Sequence, residues 1–326
     1  MRNLRTENEI IANWKGDVEQ PVVSVCCITY NHEPYIEDAL EGFLIQETDF
    51  PFEILVHDDA STDRTAEIIR KYEAKYPRLI KPIYQVENQY SKGIRGFISY
   101  LISLSEAKYI ATCEGDDYWN DKDKLSKQFY FLEKEKKYVV SSHDSNVVNE
   151  KDDVVQISRL NKKQKKDCKG DELKKGFLPG YINCLFFRNC LNAKDPEVTK
   201  ILNGDIFLAC RLGQHGDYHY HEDIMPSTYR LHHGGVWSKT AEVEQASHGM
   251  ISFYWISQYY SRIGEEKLAE LFSLKAAQVV LSQHKKTTLN SFFKLNLLIF
   301  KLLLRTYFPR LFAFTKKKLR WFEVYE

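Results

Sequence analysis

Three carboxylates and a glycine, Glu114-Gly115-Asp116-Asp117, follow the apolar run Tyr109-Ile110-Ala111 and precede Tyr118-Trp119. Acids crowded at the end of a strand repel one another. A divalent cation relieves that repulsion, because hard cations take carboxylate oxygens and substrate phosphates together. The same residues also read as a solvated turn capping a helix that starts near Asp121. Further along, Asp205 opens an apolar helix over 203–210, where an acid favours the helix dipole. The segment 216–237 adds His219, His221, Glu222, Asp223, His232 and His233. A zinc site built from these would lack a thiol pair, and His219-Tyr220-His221 alternates as a half-buried strand does.

The elements that must position these groups follow from periodicity. Residues 22–29 form an almost continuous β-branched and apolar run, the signature of a strand buried on both faces of a parallel sheet. It ends at Tyr30-Asn31-His32-Glu33-Pro34, and Ile36, Ala39, Leu40, Phe43 and Leu44 then recur at helical spacing. A second strand is predicted over 52–57, a loop of capping side chains over 58–63, and a helix after it that Pro77 ends. The same reading predicts strands over 80–85, 109–113, 138–140 and 183–187, with helices over 94–104 and 122–134. Such alternation implies an α/β fold with a mostly parallel sheet and right-handed crossovers. Loops at the carboxyl ends of its strands open on one edge, so Tyr30-Asn31, Asp58-Asp59 and the acidic stretch converge there. From Ala246 onward the pattern is that of packing helices.

Composition bounds the rest. A chain of 326 residues with 43% hydrophobic and 28% charged content buries a globular core, as one large domain or two ordinary ones. A net charge of +1 excludes the balance of a nucleic-acid-binding protein. The seven cysteines show no zinc or redox spacing and suit reduced, buried thiols. Residues 1–20 lack the apolar core of a signal peptide, which together with the thiols points to a cytoplasmic protein. The segment 149–175, rich in lysine, asparagine and aspartate, reads as a surface loop or as a basic flap facing an acceptor. The end, 291–326, interleaves Lys and Arg with Phe, Leu and Trp. It fits a basic amphipathic helix in a membrane interface, or a helix docked on the domain or against a second copy of the chain.

With the loops in this order and spacing, the sequence resembles the family 2 glycosyltransferases. The resemblance rests on Val22-Ser24-Val25 leading to Thr29-Tyr30-Asn31, on Glu53 through Asp58-Asp59-Ala60-Ser61-Thr62-Asp63, and on Glu114-Gly115-Asp116-Asp117-Tyr118-Trp119. Gly204-Asp205 and Tyr229-Arg230-Leu231-His232 complete it. It implies a GT-A-type, Rossmann-like, mostly parallel sheet flanked by helices and followed by a C-terminal helical extension. The expected division is an N-terminal extension over 1–20, a catalytic domain over 21–240, a helical extension over 241–290 and the basic tail over 291–326.

The resemblance also implies roles. Thr29, Tyr30, Asn31 and Asp58 would line the nucleotide pocket, with Glu53 beneath as a supporting acid. Glu114-Gly115-Asp116 stands at the family's D-x-D element with glutamate in place of the first aspartate. Glu114 would face the ribose and Asp116 would hold Mn²⁺ or Mg²⁺ against the diphosphate, with His232 as a further ligand; Gly115 and Asp117 would lie at the nucleotide sugar as well, the particular role of Asp117 being open. Arg95, or Lys92 in the same loop, would reach the phosphates, Trp119 and Tyr118 would stack on sugar rings, Trp119 on the acceptor's, or else serve as packing residues, and Asp205 would be the catalytic base. The implied reaction transfers a sugar, with inversion, from a nucleoside-diphosphate sugar, a UDP-sugar first of all, to a hydroxyl of a glycan. A lipid-linked glycan of surface-polysaccharide synthesis would account for a membrane-seeking tail, and a homo-oligomer fits the same features. Two rivals stand beside it. A sugar-phosphate nucleotidyltransferase would need a glycine-rich basic loop after the first strand, which Tyr30-Asn31-His32-Glu33-Pro34 is not. A non-catalytic assembly partner would need neither Asp116 nor Asp205.

Overall fold

The computed structural model describes residues 3–234 and 242–284; the basic tail 291–326 lies outside them. Seven strands form the main sheet: β1 (Val23–Thr29), β2 (Phe52–Asp58), β3 (Ile80–Tyr84), β4 (Tyr109–Glu114), β5 (Tyr138–Ser142), β8 (Phe186–Arg188) and β9 (Asp217–Tyr220), in the order β3-β2-β1-β4-β8-β5-β9. Strands β1 to β4 are mutually parallel, and β8 alone runs antiparallel, between β4 and β5. A second sheet joins β6 (Ser145–Val148), β7 (Val154–Gln156) and β10 (Ser227–Arg230), with β6 in its middle. This is the mostly parallel α/β sheet that the alternation of elements predicts.

Side-chain alternation divides the core. Val23, Val25 and Cys27 of β1, with Tyr109, Ala111 and Cys113 of β4, face the layer of α2 (Ile36–Leu44), α3 (Thr65–Lys75) and α5 (Lys124–Lys134). Cys26 and Ile110 face the opposite layer, which holds α4 (Phe97–Leu104) and α7 (Gly204–Leu212). A third cluster packs Phe207 and Cys210 against Ile256, Tyr260 and Phe272 of the long helices α8 (Glu242–Arg262) and α9 (Glu266–His284). All seven cysteines are free, and burial raises the thiol pKa of both Cys26 and Cys27. The N-terminal helix α1 (Glu7–Ile11) packs Ile10 on the main core, and the Glu7 carboxylate accepts the N–H groups of Arg78 and Leu79.

Two segments differ from the sequence reading. The strand expected over 183–187 begins as a 3₁₀ turn, Ile182–Cys184, before entering β8. The segment 149–175 is not wholly irregular: it contains β7 and a short helix, α6 (Gly170–Lys174). Pairing with β6 supplies β7 with partners that local sequence cannot reveal. His219 stacks on Phe131 at 3.7 Å and His221 meets the same ring edge-on, so these histidines pack a sheet edge.

Candidate active site

The carboxyl ends of β1, β2 and β4 lie side by side, with Thr29 paired to Asp58 and Ile28 to Glu114. Their loops are tied to one another. Asn31 adopts a left-handed φ of 55°, a conformation that asparagine tolerates better than most residues. Its side-chain oxygen accepts the Thr62 N–H at 2.7 Å, and its own N–H donates to Ser61 Oγ at 2.9 Å. Asp63 accepts the Glu33 N–H at 3.0 Å and the Thr65 N–H, at the start of α3, at 2.9 Å. Asp58 is buried and takes the Ser61 hydroxyl; desolvation raises its pKa. Its neighbour Asp59 accepts the N–H groups of Gln89 and Tyr90 at 2.7 and 3.0 Å, which draws the next loop to the same edge. Arg95, on that loop, lies over the Tyr90 ring and donates to the carbonyls of Tyr90 and Ile94.

The acidic stretch turns sharply under this frame. Gly115 donates its N–H to Ile28 O at 2.9 Å. A Cβ on it would meet Thr29 Cβ and Oγ1 at 2.8 Å and Ile36 Cδ1 at 3.0 Å. Gly115→Ala is therefore expected to cost about 1–3 kcal/mol of stability by overpacking, read as a lower midpoint in urea with an unchanged slope. An unchanged midpoint would show that the turn relaxes freely.

Asp116 stands at the centre. Its Oδ2 lies 2.9 Å from His232 Nε2 and 3.6 Å from His32 Nε2. Among the described residues these three side chains are the group of His, Cys, Asp and Glu whose ligand atoms cluster as a metal site does, all within 4.8 Å of one another. Burial opposes ionisation of Asp116, but His32 and His232 outweigh it and hold the carboxyl below its usual range. Burial, chiefly, shifts His32 down, with the charge of Asp116 opposing; its Nδ1 is buried without a hydrogen-bond partner. His232 Nδ1 lies 3.2 Å from the Gly234 N, which leaves Nε2 facing Asp116. One carboxylate and two imidazoles make a donor set for a divalent ion, the carboxylate suiting Mn²⁺ or Mg²⁺ and the imidazoles the later transition metals.

Glu114 and Asp117 are governed differently. Burial, then the charge of Asp116, pushes Glu114 up to about 8, with Arg159 opposing and Asp205 adding to the rise. Asp117 is raised well above the carboxylate range by burial, Asp116 and Glu114. Its Oδ1 accepts the Arg230 N–H at 3.0 Å. Arg230 in turn bonds Asp38 at 2.8 Å, Asp152 at 2.6 Å and the Asp116 carbonyl at 3.3 Å. Tyr118 and Thr228 exchange backbone hydrogen bonds at 3.2 and 2.8 Å. Together these contacts dock β10 on the acidic turn and deliver His232 to Asp116.

Three expected roles require correction. Trp119 is fully buried, donates its indole N–H to Asn183 O at 2.7 Å and meets Phe43 edge-on. It is a core residue with no face for an acceptor sugar. Glu53 sits at the start of β2, five residues before Asp58 and so about 17 Å away along an extended strand. It bonds Ser24 there, at the end of the sheet away from the site. Asp117, expected at the nucleotide sugar, is buried against the Arg230 backbone and fastens β10 instead. Asp205 is exposed in the first turn of α7, close enough for its charge to act on Glu114. Thr29 is buried with its hydroxyl unpartnered, and Tyr30 is exposed at the rim. Sequence reasoning overlooked His32 and Arg159. His32 shares the edge loop with Asn31, which was the available signal; nothing local marked Arg159.

A mostly parallel α/β sheet whose strand-end loops gather carboxylates and histidines defines a nucleotide-binding type of enzyme site. Residues 24–191 match the family model for glycosyl transferase family 2, and the chain belongs to that family. It is 37% identical over 134 residues to the UDP-Glc:alpha-D-GlcNAc-diphosphoundecaprenol beta-1,3-glucosyltransferase WfaP of Escherichia coli, covering 41% of this chain and 49% of WfaP. It is 35% identical over 122 residues to the putative teichuronic acid biosynthesis glycosyltransferase TuaG of Bacillus subtilis, covering 37% and 44%. The matches span 33% to 49% of the length of such curated relatives. The fold is shared with S. aureus TarS 1–349, solved in complex with UDP-GlcNAc, at a TM-score of 0.50 and 20% identity over 73% of this chain and 72% of TarS.

Proposed function

We propose that the protein transfers a sugar from a nucleoside-diphosphate sugar to a hydroxyl group of a glycan acceptor, with inversion at the anomeric carbon and with the aid of Mn²⁺ or Mg²⁺. The observation that carries this reading is the closure of His32 and His232 around Asp116, at the strand edge where Thr29, Asn31 and Asp58 gather. Asp116, His232 and His32 would hold the ion, whose chemistry there would be to offset the charge of the departing nucleoside diphosphate. Asp58 and Tyr30 contact the base, and Asn31 keeps their two loops in register. Glu114 faces the ribose. Arg95 approaches the phosphates from the adjoining loop. Asp205, exposed in the first turn of α7, takes the proton of the acceptor hydroxyl as it attacks. Attack from the side opposite the leaving group inverts the centre.

The named activities of WfaP and TuaG support a place in surface-polysaccharide synthesis with a lipid-linked acceptor. Among the described residues no helix is long and apolar enough to cross a membrane. Contact with a cytoplasmic membrane face, through the basic tail, is part of the same reading.

The test is a thermal-shift panel of UDP-, GDP- and dTDP-sugars with and without Mn²⁺. A ligand that binds the native state stabilises it by about 2.7 kcal/mol at a hundred times its Kd. One nucleotide series is expected to raise Tm, and to do so more with Mn²⁺. No shift with any of them at millimolar concentration would reject the donor reading.

A further inference from the structure

Arg159 is placed as few surface arginines are. Its N–H donates to Ser145 O at 2.7 Å, which fixes the chain beyond β7 against the start of β6. The guanidinium carbon lies 3.7 Å from the Tyr181 ring centre and 3.6 Å from that of Tyr229, so two aromatic rings hold it. Arg211, Arg230 and Arg262 all close ion pairs with carboxylates. Among the described residues Arg159 has no carboxylate within ion-pair distance and no acceptor for its guanidinium hydrogens. Stacking engages the faces of a guanidinium and leaves its edge, with the N–H donors, for a planar anion.

Its position is also specific. Tyr229 adjoins Arg230, whose N–H donates to Asp117 in the acidic turn. The loop that carries Tyr181 leaves Gly176, where a Cβ would lie 2.9 Å from Ile206 Cγ2, next to Asp205. The two rings that hold Arg159 are thus tied, one to the acidic turn and the other to the start of α7.

We propose that Arg159, held between Tyr181 and Tyr229, receives an anionic group, a phosphate or a carboxylate, on the acceptor. This rests on Asp205 marking the acceptor side, as in the proposed function. Arg159 pairs with the two anionic oxygens through its edge, and the tyrosines border the sugar that carries them. The subsite selects a phosphorylated or acidic glycan over a neutral one, because a neutral acceptor leaves the guanidinium desolvated and unpaired.

The test measures binding of N-acetylglucosamine 1-phosphate, glucuronate, N-acetylglucosamine and glucose to the full chain by calorimetry, with and without UDP and Mn²⁺. At least one anionic sugar is expected to bind about tenfold or more tightly than its neutral counterpart, the scale of a charge-assisted hydrogen bond. Preference for the phosphate alone assigns a phosphorylated acceptor, and preference for glucuronate alone an acidic glycan. Arg159→Gln should erase the preference and Arg159→Lys retain part of it, while UDP affinity stays within about twofold. Wild-type chain that treats charged and neutral sugars alike would overturn the proposal. So would a preference that survives in Arg159→Gln, or a tenfold loss of UDP affinity in that variant, which would assign Arg159 to the donor. Absence of UDP binding by the unmodified chain counts against a UDP donor; the anion preference is then read without nucleotide.

Discussion

Asp205→Asn is expected to lower kcat for sugar transfer by about 10²- to 10⁴-fold, the usual contribution of a positioned general base. The donor's Kd should stay within about twofold, because the carboxylate does not belong to the nucleotide pocket. Asparagine preserves shape and still accepts a hydrogen bond such as the one Asp205 takes from Ile206 N–H. The exposed side chain at the helix start loses only the dipole term, about 0.3–1 kcal/mol, so a folding defect would not explain a dead variant. Comparing transfer with donor binding by calorimetry checks this. Full turnover in Asp205→Asn would remove Asp205 from the role of base and return it to a helix-terminal acid. Asp205→Glu should recover part of the rate, since it restores a carboxylate at the wrong reach.

Asp116→Asn is expected to weaken Mn²⁺ binding by more than the 10- to 100-fold typical of losing a residue that merely supports a ligand. Asp116 is the anion of the cluster, and both imidazoles converge on its Oδ2. Without it, the two rings lose the carboxylate charge that draws the ion. His232→Ala and His32→Ala should each do less, since Asp116 and one imidazole remain. Nucleotide affinity should follow the metal: in wild type, EDTA should reduce it to the level of Asp116→Asn. Metal affinity from Mn²⁺ paramagnetic resonance and nucleotide affinity from calorimetry check both halves. Mn²⁺-dependent nucleotide binding of wild-type strength in Asp116→Asn would dismiss the cluster as a metal site.

Much of this was legible in the chain. Apolar runs bounded by polar loops located β1, β2 and β4 to within a residue or two, because strands buried on both faces can carry little else. Their parallel alternation with helices placed Asn31, Asp58 and Asp116 on one edge before any coordinates. Roles that depend on depth were not legible. Trp119 follows the acidic stretch directly, yet the turn sends it into the core. Glu53 lies close to Asp58 in sequence but at the far end of the same strand.

What the amino-acid sequence determined by itself is the α/β class, the order of the elements and the loops that carry the acids, since these depend on local periodicity and on the chirality of crossovers. Tertiary structure alone decided which side chains meet. His32 and His232 are 200 residues apart, and only the docking of β10, through Asp117 and Arg230, brings both to Asp116. Arg159 acquires its place the same way, between tyrosines from two other segments. Such contacts are long-range packing choices, and no spacing along a chain encodes them.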